Sequence, residues 1–368
     1  MNRRRFIHLS AAVSLIASAM MSVGYAASND TVPNNETKDW QHYRVTTQVD
    51  IPATHEAVQL WLPLPDTRLG DYQRAQTPHW KVSADGKAKL ILVKPYNALV
   101  LHVSWPAKAA QHSITMTQSI STRDRHIDLQ TPPANPVKLS AQEMALYLQP
   151  TRYLPTDGIV AKTENQIIQG RGENNIDRAK MIYDWVVANT QRDPKTLGCG
   201  DGNVKQMLDS GNLSGKCADI NALFVALARS VGIPARDAYG VRLGKSSMGF
   251  NSLGKDGDIT KAQHCRAEFY MEGYGWIPVD PADVRKVMLE EQAGGLPFSD
   301  PKVQKANKWM FGGWEMNWMA YNHAHDLKLP GDAEQAAYLM YPQAQIGEQK
   351  LDGLKPDTFK YSISSVKR

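Results

Sequence analysis

The sequence has few cysteines, few phenylalanines and, beyond its N-terminus, no long apolar run. It contains 3 Cys and 7 Phe among 368 residues. Three cysteines are too few for the disulfide scaffold by which small secreted domains replace a large core. Hydrophobic residues make up 42% and charged residues 21%, which is ordinary for a globular chain with a core. Low-complexity tracts and fixed-period repeats are also lacking, which argues against solenoids and propellers.

Neither sign of charge dominates the chain. The formal net charge is +5, and three of the positive charges belong to Arg3, Arg4 and Arg5, so the remainder is near +2. No basic stripe is present, and a basic stripe is the electrostatic footprint of nucleic-acid binding. We therefore expect no nucleic-acid partner.

The N-terminus has the pattern of an export signal. Three arginines precede an apolar run from Leu9 to Met21, and small residues around Ala26 follow. This order predicts a cleaved signal peptide over residues 1–27. The string Arg3-Arg4-Arg5-Phe6-Ile7 also resembles a twin-arginine signal, the alternative being a general secretory signal, which needs only the positive charge.

The same region predicts the location of the mature protein. No Cys follows the apolar run, so a lipoprotein anchor is not indicated. No other stretch reaches the roughly 18 apolar residues of a membrane-spanning helix. We expect a bacterial periplasmic or secreted protein without a stable membrane anchor.

Hydrophobic alternation divides the rest of the chain. Residues 28–39 are polar and read as a flexible lead-in. Residues 40–136 contain runs of period two, which predict an antiparallel β-sandwich-like domain; one face of the first run carries Tyr43, Val45, Thr47, Val49 and Ile51. Residues 137–300 predict an α+β domain, with helices from Asn175 and from Cys217 to Val231, followed by strands. Residues 301–368 are expected to form a C-terminal extension that packs on this domain.

Cys217 lies where a glycine-containing turn, Gly215-Lys216, enters the second predicted helix. The first N–H groups of a helix have no internal partner and carry partial positive charge. Both effects favour thiolate, so we expect the pKa of Cys217 to fall below the usual value of about 8.5. Taken alone, the position also suits a buried cysteine that acts as a small core residue.

His264 and Asp280 are predicted to meet on neighbouring strands. His264, Arg266 and Glu268 share one face of a strand, and Cys265 points to the other. The turn Gly273-Tyr274-Gly275 leads to a second strand that ends at Asp280. An aspartate there can orient the imidazole while the other ring nitrogen faces Cys217.

These segments resemble a known family. Gly215-Lys216-Cys217-Ala218-Asp219 with the helix that follows, His264 at the head of a strand, and Trp276 to Pro281 are similar to three blocks of bacterial transglutaminase-like proteins. The resemblance covers about 120 residues and implies a papain-like core in which Cys217, His264 and Asp280 are catalytic. The block after His264 departs from the family pattern, because Cys265 and Arg266 follow it.

The triad predicts acyl transfer on a peptide or protein amide through a thioester. By resemblance we expect hydrolysis, with protein cross-linking as the alternative acceptor chemistry, and neither a cofactor nor a metal. An exported binding module without activity stays open. A zinc site of Cys217, Cys265 and His264 is disfavoured, because strand alternation separates the last two.

Three further expectations concern the surroundings of Cys217. Asn203, Gln206 and Asn212 are candidates for the second donor of an oxyanion hole, beside the Cys217 N–H. Cys199 and Cys265 can pair as a disulfide that leaves Cys217 free, the alternative being three free thiols. The aromatic run of Trp309, Phe311, Trp314 and Trp318 suits core packing better than a peptide groove.

Overall fold

The computed structural model describes residues 39–332 and 334–368, except for the side chain of Thr358. The described residues form one compact unit. The predicted signal peptide and nearly all of the predicted lead-in therefore lie outside the described residues. In the described ranges, no helix combines the length and apolarity that crossing a bilayer requires.

The first part of the described chain consists of strands. Runs of alternating apolar residues form these strands, and Gly, Pro, Asn and Asp lie in the turns between them. The bounds are β1 Gln41–Ile51, β2 Val58–Pro63, β3 Gln73–Ala75, β4 His79–Val82, β5 Lys87–Val93, β6 Ala98–Trp105, β7 His112–Thr122 and β8 Arg125–His126.

Helices follow, interrupted by two short strands. The bounds are α1 Ala141–Leu148, α2 Gly158–Ile168, α3 Asn175–Asn189, β9 Gln191–Arg192, α4 Val204–Ser210, β10 Ser214–Gly215 and α5 Cys217–Ser230. The N-cap of α3 is Asn174, one residue before the predicted Asn175, because the Asn174 side chain accepts hydrogen bonds from the Ile176 and Asp177 N–H groups at 2.8 and 3.0 Å.

The last third of the chain is mostly strand again. The bounds are β11 Ala235–Arg242, β12 Gly257–Asp258, β13 Gln263–Met271, β14 Gly275–Val279, α6 Pro281–Glu290, α7 Pro301–Trp309, β15 Gly313–Trp314, β16 Trp318–Asn322, β17 His325–Lys328, β18 Gln335–Tyr338, β19 Gln343–Ile346, β20 Gln349–Leu351, α8 Pro356–Phe359 and β21 Tyr361–Lys367.

Two antiparallel sheets share one core. The first has the order β12-β21-β1-β7-β3 with β4 also on β7, and the second has the order β20-β19-β2-β6-β5. The predicted apolar face of β1 is buried with the alternate residues of β2 and β6, including Val58, Leu60 and Val103. The opposite face of β2 is covered too, since Trp61 packs in a second cluster with Tyr147 and Trp276.

Strands from the end of the chain complete both sheets. β21 pairs with β1, placing Ile363 opposite Thr47. β19 pairs with β2, placing Ala344 opposite Leu60. Residues from the last part of the sequence are thus integral to sheets that begin with the first described residues.

A third sheet and α5 form the remaining core. Its order is β14-β13-β11-β16, all antiparallel. Helix α5 is buried over nearly its whole length and packs on β13, where Phe224 meets Phe269 at 6.2 Å between ring centroids. The predicted α+β class, with antiparallel sheets and helices before the third sheet, is confirmed.

A buried ion cluster fixes the outward face of β13. Glu268 is fully buried, and Arg125 and Arg236 each donate to one of its oxygens, the Arg236 bond being 2.6 Å long. Arg236 also lies 3.9 Å over the Trp276 ring. Although burial acts against it, the two guanidinium groups lower the pKa of Glu268 to about 2. Glu268 thus joins β8 to the third sheet.

Replacing Glu268 with Gln should destabilise the fold by about 3–5 kcal/mol, because two buried guanidinium groups lose their counter-charge. Urea denaturation followed by circular dichroism measures this, with the exposed Glu173→Gln as control. The lowered pKa adds stability above the unfolded value of about 4.3, and this is lost as pH falls towards 2. Equal urea denaturation midpoints for the two variants at pH 7 would show that the charge of Glu268 does not stabilise the fold.

Candidate active site

Cys217 is the first residue of α5 and is 3% exposed. Its position depends on Asp219 in the same helical turn, whose carboxylate accepts from the N–H groups of Lys216 and Gly202, both at 2.9 Å. A Cβ on either Gly200 or Gly215 would collide with this carboxylate. The glycines therefore let the loop before α5 close around Asp219, and this closure holds the helix start in place.

His264 and Asp280 meet as the sequence predicts. His264 lies on β13, opposite Gly240 of β11, and its Nε2–H donates to Asp280 Oδ2 at 2.7 Å. Asp280 directly follows β14 and caps α6, since its Oδ1 accepts from the Asp283 N–H at 3.1 Å. Both side chains are almost fully buried. Because Nε2 is engaged by a carboxylate, Nδ1 is the nitrogen left to face Cys217.

A second carboxylate, which the sequence reasoning missed, also contacts the imidazole. Asp283 Oδ1 lies 3.3 Å from His264 Nε2 and accepts from Arg242 at 2.5 Å. Asp283 is three residues after the N-cap of α6, so the first helical turn brings it beside Asp280. The spacing Asp-Pro-Ala-Asp at a strand end is the sequence signal that could have found it.

Asn221 ties the helix that begins at Cys217 to the strand that carries His264 and to Asp280. It lies one turn after Cys217 and is fully buried. Its Nδ2 donates to the Cys265 carbonyl at 2.8 Å and to Asp280 Oδ1 at 3.3 Å. One amide thereby links α5 to β13 and to the start of α6.

Two of the aromatic residues, Trp314 and Trp318, pack behind the site. Trp318 Nε1–H donates to the His264 carbonyl at 2.9 Å, and Trp314 Nε1–H donates to the Val279 carbonyl at 3.1 Å. The Arg266 guanidinium lies over the Trp318 ring at 4.7 Å. Both tryptophans are buried, so the core-packing interpretation is confirmed for them, and they fix the two strands that carry His264 and Asp280.

The three cysteines converge, and all are free thiols. The sulfur atoms of Cys199, Cys217 and Cys265 lie within 4.8 Å of one another. The structure therefore has no Cys199–Cys265 disulfide. In the part of the chain that is described, the side chains close enough to share one ion form two separate groups, this one and His264 with Asp280 and Asp283. The disfavoured zinc set, which combines Cys265 with His264, is not among them.

Comparisons with known proteins agree with this geometry. A protein of uncharacterised function from Haemophilus influenzae is 37% identical over 376 residues, covering 96% of this chain and 99% of its own length. Residues 161–281, which include Cys217, His264 and Asp280, match the family model of the transglutaminase-like superfamily. The chain belongs to the transglutaminase-like superfamily.

A solved structure has a fold similar to that of this transglutaminase-like protein. A candidate cysteine protease from Cytophaga hutchinsonii has a TM-score of 0.50 at 14% identity, covering 89% of this chain and 98% of its own. The periplasmic domain of TgpA from Pseudomonas aeruginosa has a TM-score of 0.35 at 13% identity, covering 74% and 93%. The family supports an enzyme that uses cysteine-based catalysis and has a papain-like core.

The electrostatics of the transglutaminase-like site favour an ion pair. Burial and Arg242 act to lower the pKa of His264, but Asp283, Asp280 and Cys217 outweigh them and raise it to about 10. Burial acts to raise the pKa of Cys217, but hydrogen bonds with the other two thiols and the charge of His264 bring it well below its usual value. A thiolate facing an imidazolium is the protonation state that these shifts stabilise.

A surface groove of about 380 Å³ lies beside the start of α5. Its lining includes Asn203, Gln206 and Asn212, the predicted oxyanion donors, together with Asp201 and Asp219. Asn203 caps α4 through its Oδ1, which accepts from the Gln206 N–H at 3.2 Å. All three candidates therefore border one depression next to the nucleophile's helix, and their role stays a prediction.

Replacing Asp283 with Asn should raise the pH at which Cys217 becomes reactive. Loss of this negative charge destabilises the imidazolium of His264, whose positive charge stabilises the Cys217 thiolate. A nearby charge of this kind shifts a pKa by about one unit or more. The rate of Cys217 alkylation by iodoacetamide across pH, read by peptide mass spectrometry, measures the shift. Asp184→Asn, at an exposed position on α3, is the control. Identical profiles for the two variants would contradict the role of Asp283.

Proposed function

We propose that this protein is an exported cysteine peptidase or amidase that acts on peptide or protein amides. The observation that carries the proposal is the buried imidazole of His264, which donates to Asp280 at 2.7 Å beside the low-pKa thiol of Cys217. Export is proposed from the predicted signal peptide of residues 1–27.

The reaction begins with attack of the Cys217 thiolate on the amide carbon. The tetrahedral oxyanion is stabilised by the Cys217 N–H and one further donor bordering the groove. His264 gives its proton to the leaving amine through Nδ1, and a thioester of Cys217 results. His264 then removes a proton from water, which attacks the thioester, and Asp280 keeps the imidazole oriented through both steps.

Cross-linking by an amine acceptor is the second candidate. Asp201 borders the groove beside the start of α5, and a carboxylate there is a natural partner for a lysine ammonium group. The second carboxylate of the groove, Asp219, already accepts from two backbone N–H groups. We favour water over an amine as the acceptor of the acyl group, because neither carboxylate is among the side chains that contact His264. A binding module without activity is disfavoured by the lowered pKa of Cys217, since an inert buried thiol has a raised one.

Alkylation tests whether Cys217 and His264 form an ion pair. In the wild-type chain, iodoacetamide should label Cys217 with an apparent pKa well below about 8.5, and His264→Ala should move it upward by one unit or more. The exposed His79→Ala on β4 is the control and should leave the profile unchanged. A slow Cys217 with the same profile in all three chains would sink the proposal and favour the binding module.

Turnover separates water from an amine as acceptor. The purified chain is given a library of quenched fluorescent peptides, with and without a fluorescent primary amine. We expect peptide cleavage that Cys217→Ala lowers on the order of 10³-fold or more, and no incorporation of the amine above that variant's background. Amine incorporation that exceeds cleavage would replace hydrolysis with cross-linking as the function.

A further inference from the structure

The three cysteine sulfurs converge from three separate parts of the fold. Cys199 lies in the loop between β9 and α4, Cys217 begins α5, and Cys265 lies on β13. The three residues are 4%, 3% and 0% exposed. Backbone contacts hold the cluster, since the Cys199 carbonyl accepts from the Ala218 N–H at 2.8 Å and the Cys265 carbonyl accepts from Asn221. The proposed acyl-transfer mechanism uses the thiol of Cys217 and assigns no role to those of Cys199 and Cys265.

The spacing of the sulfurs matches the geometry of a shared metal ion. Three thiolates bound to one ion at about 2.3 Å lie roughly 4 Å apart, and these sulfurs are within 4.8 Å of one another. A disulfide would instead need two of them to approach to about 2.05 Å and would leave the third unused. Convergence of three sulfurs therefore favours a metal over a disulfide.

A fourth sulfur identifies the class of metal. Met340 is fully buried, and its Sδ lies 3.8 Å from Cys265 Sγ. No carboxylate belongs to the group of ligand atoms around these sulfurs in the described residues. Thiolates with a neighbouring thioether are soft ligands, and this set selects monovalent copper over harder cations.

The surroundings offer compensation for the charge of bound thiolates. The partial positive charge at the start of α5 falls at Cys217. Copper binding would release the remaining thiol protons to the solvent, with no change in the oxidation state of copper or sulfur.

We propose that Cys199, Cys217 and Cys265, with Met340 beside them, form a binding site for Cu(I). Occupation of the site takes the lone pair of Cys217 and so excludes attack on a substrate. The site shares Cys217 with the proposed function, yet metal binding requires no turnover, so the two proposals can fail separately.

Competition with a chromophoric Cu(I) chelator tests the site. The purified, reduced chain is titrated anaerobically with Cu(I) in the presence of bicinchoninate. We expect one copper per chain, and X-ray absorption should show three copper–sulfur bonds near 2.3 Å. Cys199→Ser should lower the affinity by about 10- to 100-fold.

Matched methionine variants test the fourth sulfur. Met340→Leu should weaken binding, whereas Met116→Leu, at another buried methionine on β7, should leave it unchanged. Cys265→Ser provides a second ligand variant, and circular dichroism verifies that each variant is folded. Equal affinities for Met340→Leu and Met116→Leu would remove the thioether from the site.

Three outcomes overturn the copper site. The first is the absence of Cu(I) binding in competition with bicinchoninate. The second is an X-ray absorption spectrum that shows only nitrogen and oxygen ligands. The third is a mass lower by two hydrogens, which shows that two of the cysteines have been oxidised. Rapid alkylation of Cys217 in a chain that binds no copper would refute this inference and leave the proposed function standing. Copper binding by a chain with an unreactive Cys217 would refute the proposed function and leave the copper site standing.

Discussion

The buried hydrogen bond between His264 and Asp280 is the contact on which the rest of the site depends. It lies in a buried cluster where Asp283 supplies a second anion, and Arg242 and Arg266 supply two further cations. Charges buried in this way are tolerated only when they are paired and hydrogen-bonded. Trp314 and Trp318 pack against the same strands and are themselves buried, and burial of this kind strengthens the electrostatic interactions inside.

The residues that hold the fold together and those that hold the chemistry are largely the same. Asp280 caps α6 and orients the imidazole, and Asn221 joins three elements with one amide. Asp219 closes the loop before Cys217 in a similar way. Because each polar group serves both purposes, the site is rigid and preorganised, which suits stabilisation of a transition state more than adaptation to many substrates.

Much of this was accessible from the sequence, because local patterns carry it. Alternation predicted the faces of β1 and β13, and the cysteine, histidine and aspartate blocks placed Cys217, His264 and Asp280. Asp283 was missed because its role arises from the first turn of α6, and Met340 because it approaches Cys265 from a distant part of the chain. The partners of β19 and β21 were equally hidden, since no local pattern encodes which distant strand a strand will join.

The pairing of β21 with β1 has a consequence for the order in which this chain can acquire its structure. β1 is an edge strand of its sheet until β21 pairs with it, so this side of the sheet closes only after residues 361–367 have been made. Contacts between residues so far apart in sequence carry a large loop-closure cost and form late. Until then β1 presents unpaired N–H and C=O groups along one side, and such an edge can recruit a foreign strand. Loss of β21 would therefore leave β1 exposed along that side.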